Sequence, residues 1–218
     1  MASNIQSPIP EKTIERLSEY RRTLIKCHAQ GITHIFSHVL AGMHGITAVQ
    51  VRRDLMLIGF SSDTKKGYDV KVLIEFINNI LDSENVMNVA IIGMGHLGQA
   101  ITKYFNGKGL KLRIVSAFDV DPAKVGSTID DIPCHHMDEF EDVVASMDIS
   151  IVVISSPTRV APSLVVPIIN AGIKGVLNFT SAPLNFPQGI VSENFDITTI
   201  LEKVAYFVKE SDEIGDKN

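Results

Sequence analysis

The sequence predicts an α/β protein built as a small helix-turn-helix unit, then a parallel sheet wrapped by helices, then a lone terminal helix. Three observations carry that class. Short helical periods joined through a glycine turn fill the first 60 residues. Beyond about residue 86, brief apolar runs alternate with helical patterns, the signature of a parallel sheet. The first of those runs opens "VAIIGMGHLGQA", residues 89–100, a glycine-punctuated turn of the dinucleotide-binding type.

The elements follow in chain order. A first helix spans Glu11 to Ala29, with Ile14, Leu17, Leu24 and Ile25 near helical spacing, and Gly31 ends it. A second runs from Thr33 to His44, with Ile35, Val39, Leu40 and Met43 at a period of three to four, and stops at Gly45. Thr47-Ala-Val-Gln50 has the form of a capping box, in which Thr47 caps a third helix and the Gln50 side chain reaches back to the Thr47 amide. The polar strip "SSDTKKGYDV", residues 61–70, is expected to form a hairpin, the wing of a winged helix-turn-helix, and a helix from Val70 to Leu81 closes the unit. The boundary falls at "DSENVMN", residues 82–88. Beyond it come strands at "NVAIIG", "LRIVSAFDV", "ISIVVIS" and "GVLNF", with helices ending near Phe105, over Glu139 to Ala145, and ending at Ala171. Ile197, Ile200, Leu201, Val204 and Val208 share one face of the final helix, and an acidic tail follows. Three parts result: residues 1–85, 86–195 and 196–218.

Composition narrows the class. Hydrophobic residues make up 45% of the 218. No apolar run reaches the roughly 18 residues of a membrane span. The start, "MASNIQSPIPEK", lacks the charged and apolar regions of a secretory signal, so a soluble cytoplasmic protein with no membrane partner is expected. Cys27 and Cys134 make neither a disulfide framework nor a zinc site and read as buried thiols. The net charge of −5 is uneven: residues 1–85 carry 10 Lys+Arg against 9 Asp+Glu, and residues 86–218 carry 10 against 16. The acidic excess belongs to the second part and does not exclude nucleic-acid binding by the first.

In the glycine turn, Gly93 permits the tight bend, Gly95 lets the backbone approach a pyrophosphate, and Gly98 lets helix pack on strand. Met94, His96 and Leu97 fill the turn, and the phosphates would sit on the helix N-terminus. Asp119 ends the next strand, 21 residues after Gly98, where a carboxylate accepts hydrogen bonds from the adenine-ribose hydroxyls and repels a 2′-phosphate. NAD+ and NADH are therefore the expected ligands. Asp121 is read as the cap of the Pro122 turn.

Chemistry beyond binding is hard to find in this half. His96 lies within the phosphate turn, and no Ser/His/Asp or Tyr-x-x-x-Lys arrangement is evident. His135 and His136 are adjacent in an extended segment, so they point to opposite faces, and no ligand set surrounds them; no metal is expected. The half reads as a nucleotide-binding module without a catalytic residue. An NAD-dependent oxidoreductase with a fused helical domain is the alternative, and a nucleotide-gated module acting on a protein partner is a third reading.

In the third helix Val51, Leu55 and Ile58 share the inward face, while Gln50, Arg52 and Arg53 project elsewhere. Two arginines and a glutamine near the start of a second helix suit base edges or phosphates of a major groove. Lys65 and Lys66 in the wing suit the neighbouring backbone or minor groove.

Taken in order, "IPEKTIERLSEYRRTL", "TAVQVRRDL", "GYDV", "GMGHLGQAI", "AFDVDPAKVG", "AGIKGVLNF" and "NFDITTILEKVAYF" resemble the Rex family of redox-sensing transcriptional repressors nearly end to end. The resemblance implies a homodimer with a winged helix, a Rossmann domain, and a C-terminal helix exchanged between subunits. It implies binding to double-stranded operator DNA when NADH is scarce, often with NAD+ bound, and release when NADH rises, derepressing genes of fermentation or anaerobic respiration. By position, Arg52, Arg53 and the wing would contact DNA, with Thr47 and Gln50 beside them. Gly93 to Gly98, Asp119, Ser155, Ser156 and Pro157 would line the dinucleotide. A switch network would map to Arg16, Arg22, Tyr104 and Asp196. Three positions depart from the family pattern: Ser62 and Lys65 stand where wing glycines are common, His96 replaces a frequent Asn or Arg, and Ile197 replaces an occasional aromatic.

Overall fold

A computed structural model describes residues 9–61, 65–105 and 111–215, with side chains as far as Ser211. The chain divides into two compact units, residues 1–84 and 85–218, and the terminal helix is grouped with the second.

Among its described residues unit 1 has four helices and one strand pair. Helix α1, Glu11–Ala29, has the expected bounds and buries Leu17, Tyr20, Leu24 and Cys27 along one stripe. The expected second helix is shorter than Thr33–His44. Residues His34–Ile35 form strand β1, and α2 covers only Ser37–His44. Ile35 reaches the core from the strand, 3% exposed, and so extends the apolar period of α2 without being helical. Helix α3, Ala48–Leu57, starts two residues beyond the Gly45–Ile46 turn with Thr47 as its cap. Among the described residues the polar strip contributes one strand, β2, Tyr68–Asp69, which pairs antiparallel with β1, His34 opposite Asp69 and Ile35 opposite Tyr68. Ser62 lies outside the described residues. Asp69 caps α4, Val70–Leu81, by accepting from the Val72 amide at 3.0 Å. One core joins α1, α2, α3 and α4 through Leu17, Leu24, Leu40, Val51, Leu55, Leu73 and Ile77.

Unit 2 is a seven-stranded sheet. Its strands are β3 (Met87–Ile92), β4 (Leu112–Asp119), β5 (Thr128–Ile129), β6 (Ile132–His136), β7 (Ile149–Ile154), β8 (Gly175–Asn178) and β9 (Val191–Asn194). They lie in the order β5-β6-β4-β3-β7-β8-β9, all parallel except β5. Sequence periodicity missed three of these. The β5–β6 hairpin turns on Asp130 and Asp131, both at positive φ (51° and 66°), and no glycine or asparagine marks that turn. Strand β9 is exposed along its whole length, so it lacks the apolar run that marks the central strands.

Both faces of the sheet are covered. Ala90, Ile92, Phe118, Val152 and Ile154 pack against α6 (Phe140–Ser146) and α7 (Val165–Asn170). Val89, Ile91, Ala117 and Val153 pack with Ile101 of α5, His96–Phe105. Burial on both sides is why Val89–Ile92 of β3 and Ile151–Ile154 of β7 read as unbroken apolar runs rather than alternating ones. Chain direction across the sheet reverses between β3 and β7, and ligands of such sheets bind outside the carboxyl ends of the strands at that switch point. Helix α8, Ile197–Gly215, ends the described chain; it runs seven residues beyond the expected Val208.

Candidate functional site

The switch point is built by backbone. Gly93 follows β3 at φ 97°, donates its N–H to the Phe118 carbonyl at 2.8 Å, and leaves no room for a side chain: a Cβ there would lie 2.8 Å from the Ser156 nitrogen. A Cβ on Gly98 would collide with the Gly93 carbonyl oxygen. Ser155 Oγ donates to that oxygen at 2.8 Å, tying the end of β7 to the turn. These contacts are what the glycine spacing anticipated. They leave the N-terminus of α5 facing a cleft of about 520 Å3 lined by Gly93, Gly95, His96, Leu97, Asp119, Lys124, Ser155, Ser156, Pro157 and Arg159. Met94, by contrast, is fully buried beneath the turn, its N–H donating to Asp119 and its carbonyl accepting from Gln99.

Two features fit an anionic dinucleotide. Ser156 Oγ is a buried hydroxyl with no hydrogen-bond partner among the described residues, positioned at the turn. The cleft also carries more cations than carboxylates: Lys124 and Arg159 against Asp119, with the exposed His96 beside them. A phosphate group on the helix N-terminus would meet free amides and positive charge together.

Asp119 is more committed than expected. Its Oδ1 accepts from the amides of Val120 (2.8 Å) and Asp121 (3.0 Å), and its Oδ2 accepts from the Met94 amide (2.8 Å) and Lys124 Nζ (3.0 Å). Burial pushes its carboxyl pKa up, but the hydrogen bonds from Asp121, Lys124 and Met94 outweigh burial and hold it below the usual carboxylate value. A ribose hydroxyl must therefore share or displace the Lys124 ammonium at Oδ2. Lys124 was not singled out from the sequence, although it lies five residues past Asp119 in the same turn; nothing in the sequence marked Arg159. Asp121 caps as expected, accepting from the Ala123 amide at 3.0 Å. His136 caps the turn after β6 by accepting from the Asp138 amide, while His135 packs on Phe118 with ring centroids 5.9 Å apart. Among the described residues no group of three or more His, Cys, Asp or Glu is placed to hold a metal.

In unit 1 the surface rests on a buried charge. Asp54 of α3 is 1% exposed. It accepts from Arg16 Nε (2.7 Å), Arg16 Nη2 (2.7 Å), Tyr20 Oη (2.9 Å) and Gln50 Nε2 (2.9 Å). Burial raises the Asp54 pKa and these donors, Arg16 foremost, lower it more, so the carboxyl titrates below its ordinary value. Thr47 Oγ1 accepts from the Gln50 amide at 3.1 Å, as expected of a cap. The return half of the capping box is absent: the Gln50 side chain turns to Asp54, because a buried carboxylate is a stronger acceptor partner than an exposed amide is a donor. Arg52 donates to Ser37 Oγ at 3.0 Å, and Arg53 is exposed with no partner among the described residues. Lys65 and Lys66 are exposed in the turn before β2.

The four expected switch residues have these local settings within their own units. Arg16 is engaged by Asp54 inside unit 1, and Arg22 is exposed on α1. Tyr104 is 61% exposed near the end of α5. Asp196 caps α8 by accepting from the Thr198 amide (3.0 Å) and Thr199 Oγ1 (2.9 Å).

With this geometry in place, comparison with known proteins is specific. Residues 8–55 match the family described as "Putative DNA-binding protein N-terminus", and residues 84–182 the family described as "CoA binding domain". The redox-sensing transcriptional repressor Rex of Leuconostoc citreum is 35% identical over 203 residues, which are 93% of this chain and 94% of the relative. This chain belongs to the Rex family. The Rex of Anoxybacillus flavithermus is likewise 35% identical, over 95% of this chain and 97% of its own. Among solved structures, the Rex-family repressor RSP in complex with β-NAD+ and operator DNA superposes with a TM-score of 0.88 at 29% identity, covering 96% of this chain and 97% of that one. RSP in complex with β-NADH superposes at 0.85, over 97% and 100%. The Rex relatives are repressors, not enzymes, so the oxidoreductase alternative is not supported.

Proposed function

We propose that this chain is an NADH- and NAD+-responsive repressor that binds double-stranded operator DNA as a cytoplasmic homodimer when NADH is low and is released by NADH. The observation that carries the reading is the presence, in one chain, of the glycine cradle at the β3–β7 switch point and a capped second helix with outward arginines. Arg52, Arg53, Lys65 and Lys66 serve the DNA backbone and base edges. Gly93, Gly95, His96, Leu97, Asp119 and the Ser155–Pro157 segment line the dinucleotide cleft, while Gly98 lets α5 pack on the turn and Met94 donates its backbone N–H to Asp119. RSP, the structural relative, has been solved with each of these ligand classes, which supports carrying both to this chain.

The homodimer reading is supported by α8, whose Ile197, Ile200, Leu201, Val204 and Val208 are 44–62% exposed in the single chain. An apolar face of that extent on a terminal helix suits insertion into a second subunit. In the switching step NADH and NAD+ must bind with different affinity to the DNA-competent and released arrangements; equal affinity moves nothing. Arg16, Arg22, Tyr104 and Asp196 are the residues assigned to that change, with Arg22 the better candidate cation because Arg16 is already held by Asp54.

The test is a fluorescence-anisotropy titration of the full-length protein on its selected operator, with NADH and NAD+ varied separately. NADH is expected to weaken sequence-specific binding far more than NAD+ does. Binding indifferent to NADH overturns the sensor reading, and steady consumption of NADH with a small carbonyl substrate reopens the oxidoreductase one.

A further inference from the structure

Helix α3 carries an apolar side chain that the core does not use. Its inward residues Val51, Leu55 and Ile58 are at most 5% exposed, whereas Val49 is 56% exposed and Met56 is 74% exposed. Val49, Arg53 and Met56 lie at i, i+4 and i+7, so they form one row along the outward face. The polar residues on either side of that row are drawn away from it: Gln50 donates its amide to Asp54 at 2.9 Å, and Arg52 donates to Ser37 at 3.0 Å. Val49 is thus left exposed at the second position of the helix, beside the guanidinium of Arg53, which has no partner among the described residues.

We propose that Val49 reads the 5-methyl group of a thymine in the major groove. The inference rests on the operator-binding reading above and names a base contact within it. The first turn of a recognition helix is the part that approaches base edges. An isopropyl group there has no hydrogen bond to offer, and the thymine methyl is the apolar group on the major-groove edges of the four base pairs. A β-branched residue in a helix holds essentially one rotamer, so little freedom is lost on contact. The only acidic residue of α3 is the buried Asp54, and the exposed charges of the helix are Arg52 and Arg53, which makes a polyanion the complementary occupant of this face. Gln50, a candidate base reader, is held here by Thr47 at its backbone amide and by Asp54 at its side chain.

The experiment uses the full-length protein. A duplex site is first selected from a randomised pool, and each thymine in it is then replaced singly by deoxyuridine, which removes only the methyl. One thymine in each half-site is expected to cost about fourfold in affinity when its methyl is removed, the weight of one buried methyl group. In Val49→Ala that penalty vanishes, while affinity for the unmodified duplex falls by a similar factor and NADH affinity, dimer mass and unfolding midpoint stay as they were. The proposal is overturned if no uracil replacement weakens the parent protein, or if the penalty persists undiminished in Val49→Ala. It is equally overturned if Val49→Ala alters the dimer and leaves DNA binding untouched, which would assign this face to protein contact. NADH-releasable operator binding with no methyl effect sinks this inference alone, whereas failure to select any sequence sinks the repressor reading together with it.

Discussion

The guanidinium of Arg16 grips the carboxylate of Asp54 through two bonds of 2.7 Å, so α1 and α3 are joined by an ion pair whose acidic partner is 1% exposed and whose basic partner is 22% exposed. The asymmetry predicts unequal mutational costs. Arg16→Met strands a buried carboxylate and should destabilise unit 1 by about 3–5 kcal/mol. Asp54→Asn leaves Arg16 with access to water and keeps an acceptor for Tyr20, so about 1–3 kcal/mol is expected. Urea unfolding measures both. Operator affinity should fall in each, since α3 is no longer pinned, while NADH affinity is retained.

The same pair sets an acid limit. The folded Asp54 pKa lies below the ordinary aspartate value of 3.8, so the stability it contributes is fully present above that value and is lost as pH falls through the lower folded one. Asp119, held down by Asp121, Lys124 and Met94 against its burial, acts in the same direction. The melting temperature should therefore change little from these groups between pH 7 and about 5 and fall below about pH 4. Asp54→Asn should melt lower at neutral pH and lose less on acidification; equal acid sensitivity in parent and variant contradicts the assignment.

Much of this was legible because several signals coincide at single positions. Thr47 and Gly31 bound helices by local chemistry, and Gly93 and Gly98 are constrained by close backbone contacts that a turn of this type must satisfy. What escaped depends on long-range pairing. Strand β1 exists because Tyr68 lies opposite Ile35, 33 residues away, and no two-residue strand has a period of its own. The fate of the Gln50 side chain was hidden for the same reason: its partner Asp54 is visible in sequence, but the burial that makes Asp54 a demanding acceptor comes from Arg16 and Tyr20 on another helix.

The saturated Asp119 predicts how the cleft responds to substitution. Asp119→Ala removes the acceptor of three amides around the ribose end and should weaken NADH by about 10- to 100-fold, the loss of one or two charge-assisted hydrogen bonds. Operator binding should persist and cease to respond at NADH concentrations that release the parent. Lys124→Gln removes the cation that offsets the Asp119 charge at 3.0 Å, so the site becomes more negative and should discriminate more sharply against the 2′-phosphate of NADPH. Calorimetric titration of NADH and NADPH with both variants checks these signs; a Lys124→Gln variant that binds NADPH better than the parent contradicts them.

The exposed face of α8 gives the last prediction. Leu201 is 62% exposed and Val204 53% exposed, so replacing both with Asp disturbs no buried core contact within the protomer and should leave the folding of the separate subunit intact. In an assembled dimer the same two positions would be buried, and burying a Leu or Val side chain contributes roughly 1.5–3 kcal/mol, which a carboxylate forfeits while adding its own desolvation cost. Leu201→Asp/Val204→Asp should therefore be monomeric by light scattering at concentrations where the parent is dimeric. Its NADH binding should be weakened less than its operator binding, because the glycine cradle lies within one chain whereas half-site recognition requires two. A variant that stays dimeric places the subunit contact elsewhere than on α8.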